Sequence, residues 1–266
     1  MPHCELSDVT IYYELSGQGE PVLFFNGSGA TLSSSALLIG ALAKDNEVLA
    51  HDQRGLGKTS IPEGPYTMAD YASDGARLLD HVGWSRCSVV GISFGGMVAQ
   101  EFAVTWPDRV NKLVLMCTSA GGDAGSSYPL HELASLAPDA RQQKMALLTD
   151  TRFTPEWLRD HPDDAQMLSM RAEQAALPKD KDVLRGERLQ LQARIGHDVA
   201  DRLHRISAPT LVTAGRYDGI APVSNSDAIA ARIPQAELKV YEGGHLFTAQ
   251  DRQAMVDIRE FLRGAR

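Results

Sequence analysis

Residues 87–96 read Cys87-Ser88-Val89-Val90-Gly91-Ile92-Ser93-Phe94-Gly95-Gly96, and this stretch decides the fold. Cys87 to Val90 have strand character, Gly91 to Gly95 carry the spacing G-x-S-x-G, and Met97 to Val104 suit a helix. Strand, sharp turn and helix in that order are the setting in which this spacing forms a nucleophile elbow. The turn strains Ser93 and lifts its hydroxyl out of the sheet, while the crowded positions two before and two after carry no side chain. A serine hydroxyl is a weak nucleophile, so the elbow means little without a base to activate it.

Two stretches downstream supply candidates for that base and its partner. Residues 208–218, Ala-Pro-Thr-Leu-Val-Thr-Ala-Gly-Arg-Tyr-Asp, read as an apolar strand with Asp218 just past its end. Residues 236–247, Ala-Glu-Leu-Lys-Val-Tyr-Glu-Gly-Gly-His-Leu-Phe, read as another strand with His245 just past its end. The chain order Ser93, Asp218, His245 is nucleophile, acid, base, with each residue at the C-terminal end of a strand. Of the eight histidines only His245 has such a setting, between Gly243-Gly244 and an apolar helix start. Asp218 is expected to hold one tautomer of His245; Asp123, after the preceding strand, is the fallback acid.

Bulk properties agree with a soluble globular chain. The 266 residues suit one α/β domain with an insertion, and 43% hydrophobic with 23% charged residues allow a sizeable core. A net charge of −8 argues against nucleic acid or an anionic membrane as partner. Three widely spaced cysteines, Cys4, Cys87 and Cys117, make neither a disulfide framework nor a zinc motif. Cys87 and Cys117 sit in apolar strands, where a cysteine serves as a small buried hydrophobe. With no signal peptide and no membrane span visible, a cytoplasmic monomer or homodimer acting on a small molecule is expected.

Short apolar strands alternate with helices through the first half: Val9–Leu15, Val22–Phe25, Glu47–Ala50 and Lys112–Cys117 as strands, Leu37–Ala43 and Thr67–Val82 as helices. Thr67 and Asp70 make a capping-box-like start for the last of these, and Gly83 ends it. This rhythm predicts a mostly parallel sheet flanked by helices. From about Leu130 to Arg205 no strand pattern occurs, only helical patterns broken by Pro138, Pro155, Pro162, Pro178 and Gly196. The expected organisation is therefore a core of residues 1–122 and 206–266, with an all-helical cap of residues 123–205 inserted between two strands.

For an oxyanion hole the expected donors are the backbone amide of Phe94 and one from the Asn26-Gly27-Ser28-Gly29 turn, with Ser28 the choice. Asn26, Trp157 and Arg152 are candidate substrate contacts, with a brace for the loop as the alternative role of the Asn26 amide. Arg54-Gly55-Leu56-Gly57-Lys58-Thr59 ends like a phosphate loop, but Asp52 stands where the first glycine belongs and Pro62 and Pro65 follow in place of a helix. Neither a dinucleotide fingerprint nor a metal-ligand cluster is present, so no cofactor and no metal are expected.

Taken together, the Asn26 turn, Asp52-Gln53-Arg54-Gly55-Leu56-Gly57, the elbow, Trp106-Pro107-Asp108-Arg109-Val110, Asp218 and His245 resemble the α/β-hydrolase fold superfamily over nearly the whole chain. Asn26, Gly64-Pro65-Tyr66-Thr67 and Arg152-Phe153-Thr154-Pro155 make the chain most similar to the 3-oxoadipate enol-lactonase and carboxylesterase group, although the tryptophan common in the last motif is missing. The resemblance implies a cofactor-free serine hydrolase of a small ester or lactone, with an activity limb at an apparent pKa of roughly 6–7 as His245 loses its proton. A ligand-binding receptor with little turnover, or a cofactor-independent perhydrolase or oxygenase, would carry the same residues.

Overall fold

The computed structural model describes residues 2–264. In chain order the strands and helices are β1 (His3–Glu5), β2 (Thr10–Ser16), β3 (Glu20–Phe25), α1 (Ala36–Leu42), β4 (Asn46–His51), α2 (Met68–His81), β5 (Cys87–Ile92), α3 (Phe94–Thr105), β6 (Val110–Met116), α4 (Pro138–Thr149), α5 (Pro155–Asp160), α6 (Pro162–Ala176), α7 (Lys181–Ala193), β7 (Thr210–Gly215), α8 (Val223–Arg232), β8 (Ala236–Tyr241), α9 (Phe247–Gln250) and α10 (Arg252–Arg263). They form one sheet of 8 strands in the order β1-β2-β4-β3-β5-β6-β7-β8. Pairing is antiparallel for β1 with β2 and β2 with β4, and parallel from β4 onward. The expected parallel sheet is therefore observed. The short strand β1 is an addition whose three residues carry too little pattern to read.

The parallel strands are near-continuous apolar runs because helices cover both faces. Leu23, Phe25, Val89, Leu113, Leu115 and Val212 pack on one face with α2 and α3, while Val22, Phe24, Val90, Val114 and Leu211 pack on the other with α1 and α10. Thr67 caps α2 in a full capping box with Asp70, and Gly83 follows at a φ of 75°. The motif that looked like a phosphate loop is an internal brace. Asp52 accepts the amides of Leu32 (2.8 Å) and Lys58 (2.9 Å), and Arg54 clamps buried Asp74 through two bonds of 2.7 Å. Replacing Asp74 by alanine would leave the Arg54 guanidinium with only the half-exposed Asp8, at a cost of about 3 kcal/mol; urea unfolding of Asp74→Ala checks this.

Between β6 and β7 every regular element is helical: α4 to α7 and three short 3₁₀ turns, Gly122–Ala124, Leu130–Ser135 and Ala200–Arg205. In the sheet, β4 lies on one side of β3 and β5 on the other. The crossover direction reverses between β3 and β5, and such a switch point opens a crevice at the strands' C-terminal ends. The Asn26 loop leaves β3 there, and Ser93 follows β5.

Candidate active site

Ser93 joins β5 to α3 at φ 55° and ψ −116°, a left-handed backbone that a non-glycine residue adopts only under constraint. Two contacts impose it: the Ser93 amide donates to Met116 O at 2.8 Å, and its carbonyl accepts from Thr118 Oγ1 at 2.8 Å. The flanking glycines are steric necessities. A Cβ on Gly91 would stand 2.3 Å from Gly95 O, and one on Gly95 would stand 2.1 Å from Phe25 O.

The ends of β7 and β8 deliver the other two groups. His245 Nε2 lies 3.0 Å from Ser93 Oγ, and His245 Nδ1 lies 2.7 Å from Asp218 Oδ2. Asp218 is 4% exposed, and its other oxygen accepts the amides of Ile220 (2.7 Å) and Ala221 (2.9 Å). Three hydrogen bonds thus hold one carboxylate in a fixed orientation. The fallback acid is corrected: Asp123 is exposed and pairs with Arg232 at 3.1 Å.

Facing Ser93, the Asn26 loop commits most of its amides. Gly27 donates to Asn26 Oδ1, Gly29 to Gln190 Oε1 on α7 at 2.7 Å, and Ala30 to Gly27 O. The Ser28 amide is the one left in that turn without an acceptor among the described residues. Across from it, the Phe94 amide opens α3 and also has no acceptor there. Two free N–H groups, one at the positive end of a helix, suit a developing oxygen anion.

The sequence matches the α/β hydrolase fold family over residues 20–250. The chain belongs to that family. A poly(3-hydroxyalkanoate) depolymerase of Ectopseudomonas oleovorans is 34% identical over 249 residues, covering 92% of this chain and 85% of its own. A 3-oxoadipate enol-lactonase of Acinetobacter baylyi is 30% identical, with 93% and 90% covered, in keeping with the resemblance in the motifs. Among solved structures, a hydrolase from Pseudomonas aeruginosa superposes with a TM-score of 0.78 at 30% identity, covering 99% of this chain and 98% of the other. These three are named a depolymerase, an enol-lactonase and a hydrolase.

Within this α/β hydrolase the polar groups of the three candidate substrate contacts already have partners inside the protein. Asn26 is buried, donates to Thr31 O (3.1 Å), and accepts from the Gly27 amide (3.0 Å) and Ser35 Oγ (2.8 Å). A buried amide must satisfy its own polar atoms, so Asn26 shapes the oxyanion turn. Arg152 is held by Asp150 at 2.9 and 2.6 Å and lies over the rings of Trp157 and Tyr217. Trp157 donates to Asp164 Oδ2 at 2.9 Å and stacks on His161.

The same contacts show what the motifs did not. Asp150 also accepts from Gln250 Nε2 (3.1 Å), Gln250 Oε1 accepts the Gly244 amide (2.9 Å), and the His245 amide donates to Thr149 O (2.6 Å). The end of α4 therefore fixes the loop that carries the base. Cys117, just after β6, also meets the site: one donor atom each from Cys117, Asp218 and His245 lie within 4.8 Å of one another. A cavity of about 200 Å³ is bounded by Met97 of α3, by Ser119 and Ser127, and by Arg194 and His197 after α7; none of Ser93, Asp218 and His245 lines it.

Electrostatics single out His245. Burial disfavours its charged form, but Cys117 and the Asp218 carboxylate push the other way, and the net is a pKa above the ordinary histidine value. His51 and His197, by contrast, are pushed down to about 4 by burial and stay neutral at pH 7. A raised pKa means the base form appears only as pH rises. We expect kcat/KM to climb through neutral into alkaline pH, with its midpoint above about 6.5 and not centred at 6–7. A pH–rate profile flat from about pH 6 to 9 would contradict His245 as base.

Proposed function

We propose that the protein is a serine hydrolase that cleaves a small ester or lactone through an acyl-enzyme, without a cofactor. The observation that carries this reading is the single line Ser93 Oγ, His245, Asp218 Oδ2, with separations of 3.0 and 2.7 Å. Ser93 Oγ attacks the carbonyl carbon while His245 Nε2 takes the hydroxyl proton. The carbonyl oxygen becomes an anion between the Ser28 and Phe94 amides. Collapse breaks the acyl–oxygen bond, and His245 gives its proton to the leaving alkoxide. Water then repeats the cycle on the acyl-enzyme, returning Ser93 and the free acid.

The named relatives support this substrate class, since one is called a lactonase and another a depolymerase of a polyester. The site also suits the reaction physically: strain and hydrogen bonds preset nucleophile, base and anion donors before substrate arrives, so little reorganisation accompanies bond making. Among the described residues no helix is long and apolar enough to cross a membrane.

A panel of short p-nitrophenyl esters and small lactones tests the proposal. We expect turnover of at least one member, with the lactone-to-ester ratio measuring how far the enol-lactonase likeness extends to substrate. Saturable binding of panel members without product would favour a receptor instead, and product formation only with added peroxide or oxygen a perhydrolase or oxygenase.

A further inference from the structure

Cys117 is fully buried and has a φ of 41°, inside the left-handed region that side-chain-bearing residues avoid. Its amide donates to Thr213 O at 2.9 Å, which holds this bend against β7. A cysteine serving only as a small hydrophobe on an apolar strand needs no such backbone. The consequence of the bend is chemical: it brings sulfur within 4.8 Å of a carboxylate oxygen of Asp218 and a ring nitrogen of His245. The hydrolytic mechanism uses the oxygen and the nitrogen and leaves the sulfur without a task.

We propose that Cys117, Asp218 and His245 form a binding site for a thiophilic divalent cation, Zn²⁺ or Cd²⁺, and that occupancy of this site excludes hydrolysis. The exclusion rests on the serine-hydrolase reading; the binding does not. Sulfur, imidazole nitrogen and carboxylate oxygen are the donors zinc takes in four-coordinate sites, at metal–ligand distances of about 2.0–2.3 Å. Such distances place donors roughly 3.3–3.7 Å apart in a tetrahedron. Asp218 and His245, now 2.7 Å apart, would open slightly to admit the ion, and the sulfur would close in. Hard cations that prefer all-oxygen sets fit this donor set poorly. Of the groups at this place, Ser93 is partly buried and the His245 side chain is 13% exposed, while Cys117 and Asp218 are buried.

On binding, the Cys117 thiol releases its proton to solvent as the sulfur–metal bond forms, a protonated His245 releases one as well, and no electrons change hands. Either ring nitrogen stops the mechanism. Ligation through Nδ1 sends its proton to Nε2, which then cannot accept from Ser93, and ligation through Nε2 occupies the acceptor itself. The other two cysteines, Cys4 and Cys87, belong to no such group of donors among the described residues.

The test titrates cadmium chloride into the full-length wild type, Ser93→Ala, Cys117→Ser, Cys117→Ala and His245→Ala. Ultraviolet cadmium–thiolate absorption reads binding, ester hydrolysis is followed in the same samples, and zinc chloride serves as competitor. We expect one equivalent of cadmium to develop the band in wild type and Ser93→Ala, and zinc to displace it. The band should vanish in both Cys117 variants, and His245→Ala should bind at least about tenfold more weakly. Wild-type hydrolysis should fall in step with the band and return with a chelator. Whatever rate Cys117→Ser shows without metal should persist at concentrations that stop the wild type. No band in wild type, or an equal band in the Cys117 variants, would overturn the site even if Ser93→Ala proves inactive. Undiminished wild-type hydrolysis at full occupancy would overturn the exclusion, and an active Ser93→Ala would show that the hydrolase reading, not the metal site, had failed.

Discussion

Ser93→Ala is expected to lower kcat/KM for the best ester of the panel by on the order of 10⁴–10⁶-fold, because removal of a nucleophile that works as a unit with its base leaves only binding and anion stabilisation. The fold should be untouched. Ser93 Oγ has one partner, His245, while the strain at φ 55° is held by backbone contacts to Met116 and Thr118 that alanine keeps. Matching thermal unfolding of variant and wild type, measured beside the rates, separates a chemical loss from a structural one. A variant within about tenfold of wild type would remove Ser93 from the mechanism.

Asp218→Asn should cost about 10⁴-fold in kcat while changing shape very little. The amides of Ile220 and Ala221 donate to one oxygen of Asp218, and both need an acceptor. In the variant the amide oxygen must stay there, which turns the NH₂ group toward His245 Nδ1. Nδ1 then has to accept, so the ring proton moves to Nε2 and points at Ser93. A ring in that tautomer cannot take the serine's proton. The same change removes the buried carboxylate that raises the His245 pKa. Any residual activity should therefore have its pH midpoint moved to lower pH relative to wild type, which a pH–rate profile of the variant reads directly. Full activity in Asp218→Asn would mean that a different group orients His245.

How much of this was visible in the chain follows from the range of each contact. The elbow is local: a strand, two glycines that must lack Cβ and a helix lie within a score of residues, so Ser93 announces itself. Asp218 and His245 are also local signals, each a polar residue just past an apolar strand, and their meeting with Ser93 follows once β5, β7 and β8 run parallel in one sheet. The all-helical run between β6 and β7 was legible as the lack of strand pattern between Leu130 and Arg205. What lay beyond reading depends on how helices are placed. Arg152 resembled a free cation in a cap motif, yet it is spent on Asp150 two residues away and on two rings brought in from elsewhere. The brace from Asp150 through Gln250 to Gly244 joins residues 100 apart in sequence, and neither partner sits in a motif. That the Asn26 amide would brace the oxyanion turn was legible from its place before that turn, but not its partners Thr31, Gly27 and Ser35. Cys117 shows a different limit: an apolar strand pattern foretells burial, and it did, but it carries no information about a φ of 41° at the strand's last bend.

The central claim is that Ser93 is a nucleophile activated by His245, and covalent trapping tests it most directly. Wild type, Ser93→Ala and His245→Ala would each be treated with a fluorophosphonate ester, digested and mapped by mass spectrometry. One phosphonyl adduct is expected, on Ser93, forming rapidly in wild type, absent in Ser93→Ala and slowed to the level of an ordinary surface serine in His245→Ala. An adduct at any other residue, or labelling of Ser93 at the same rate without His245, would contradict it.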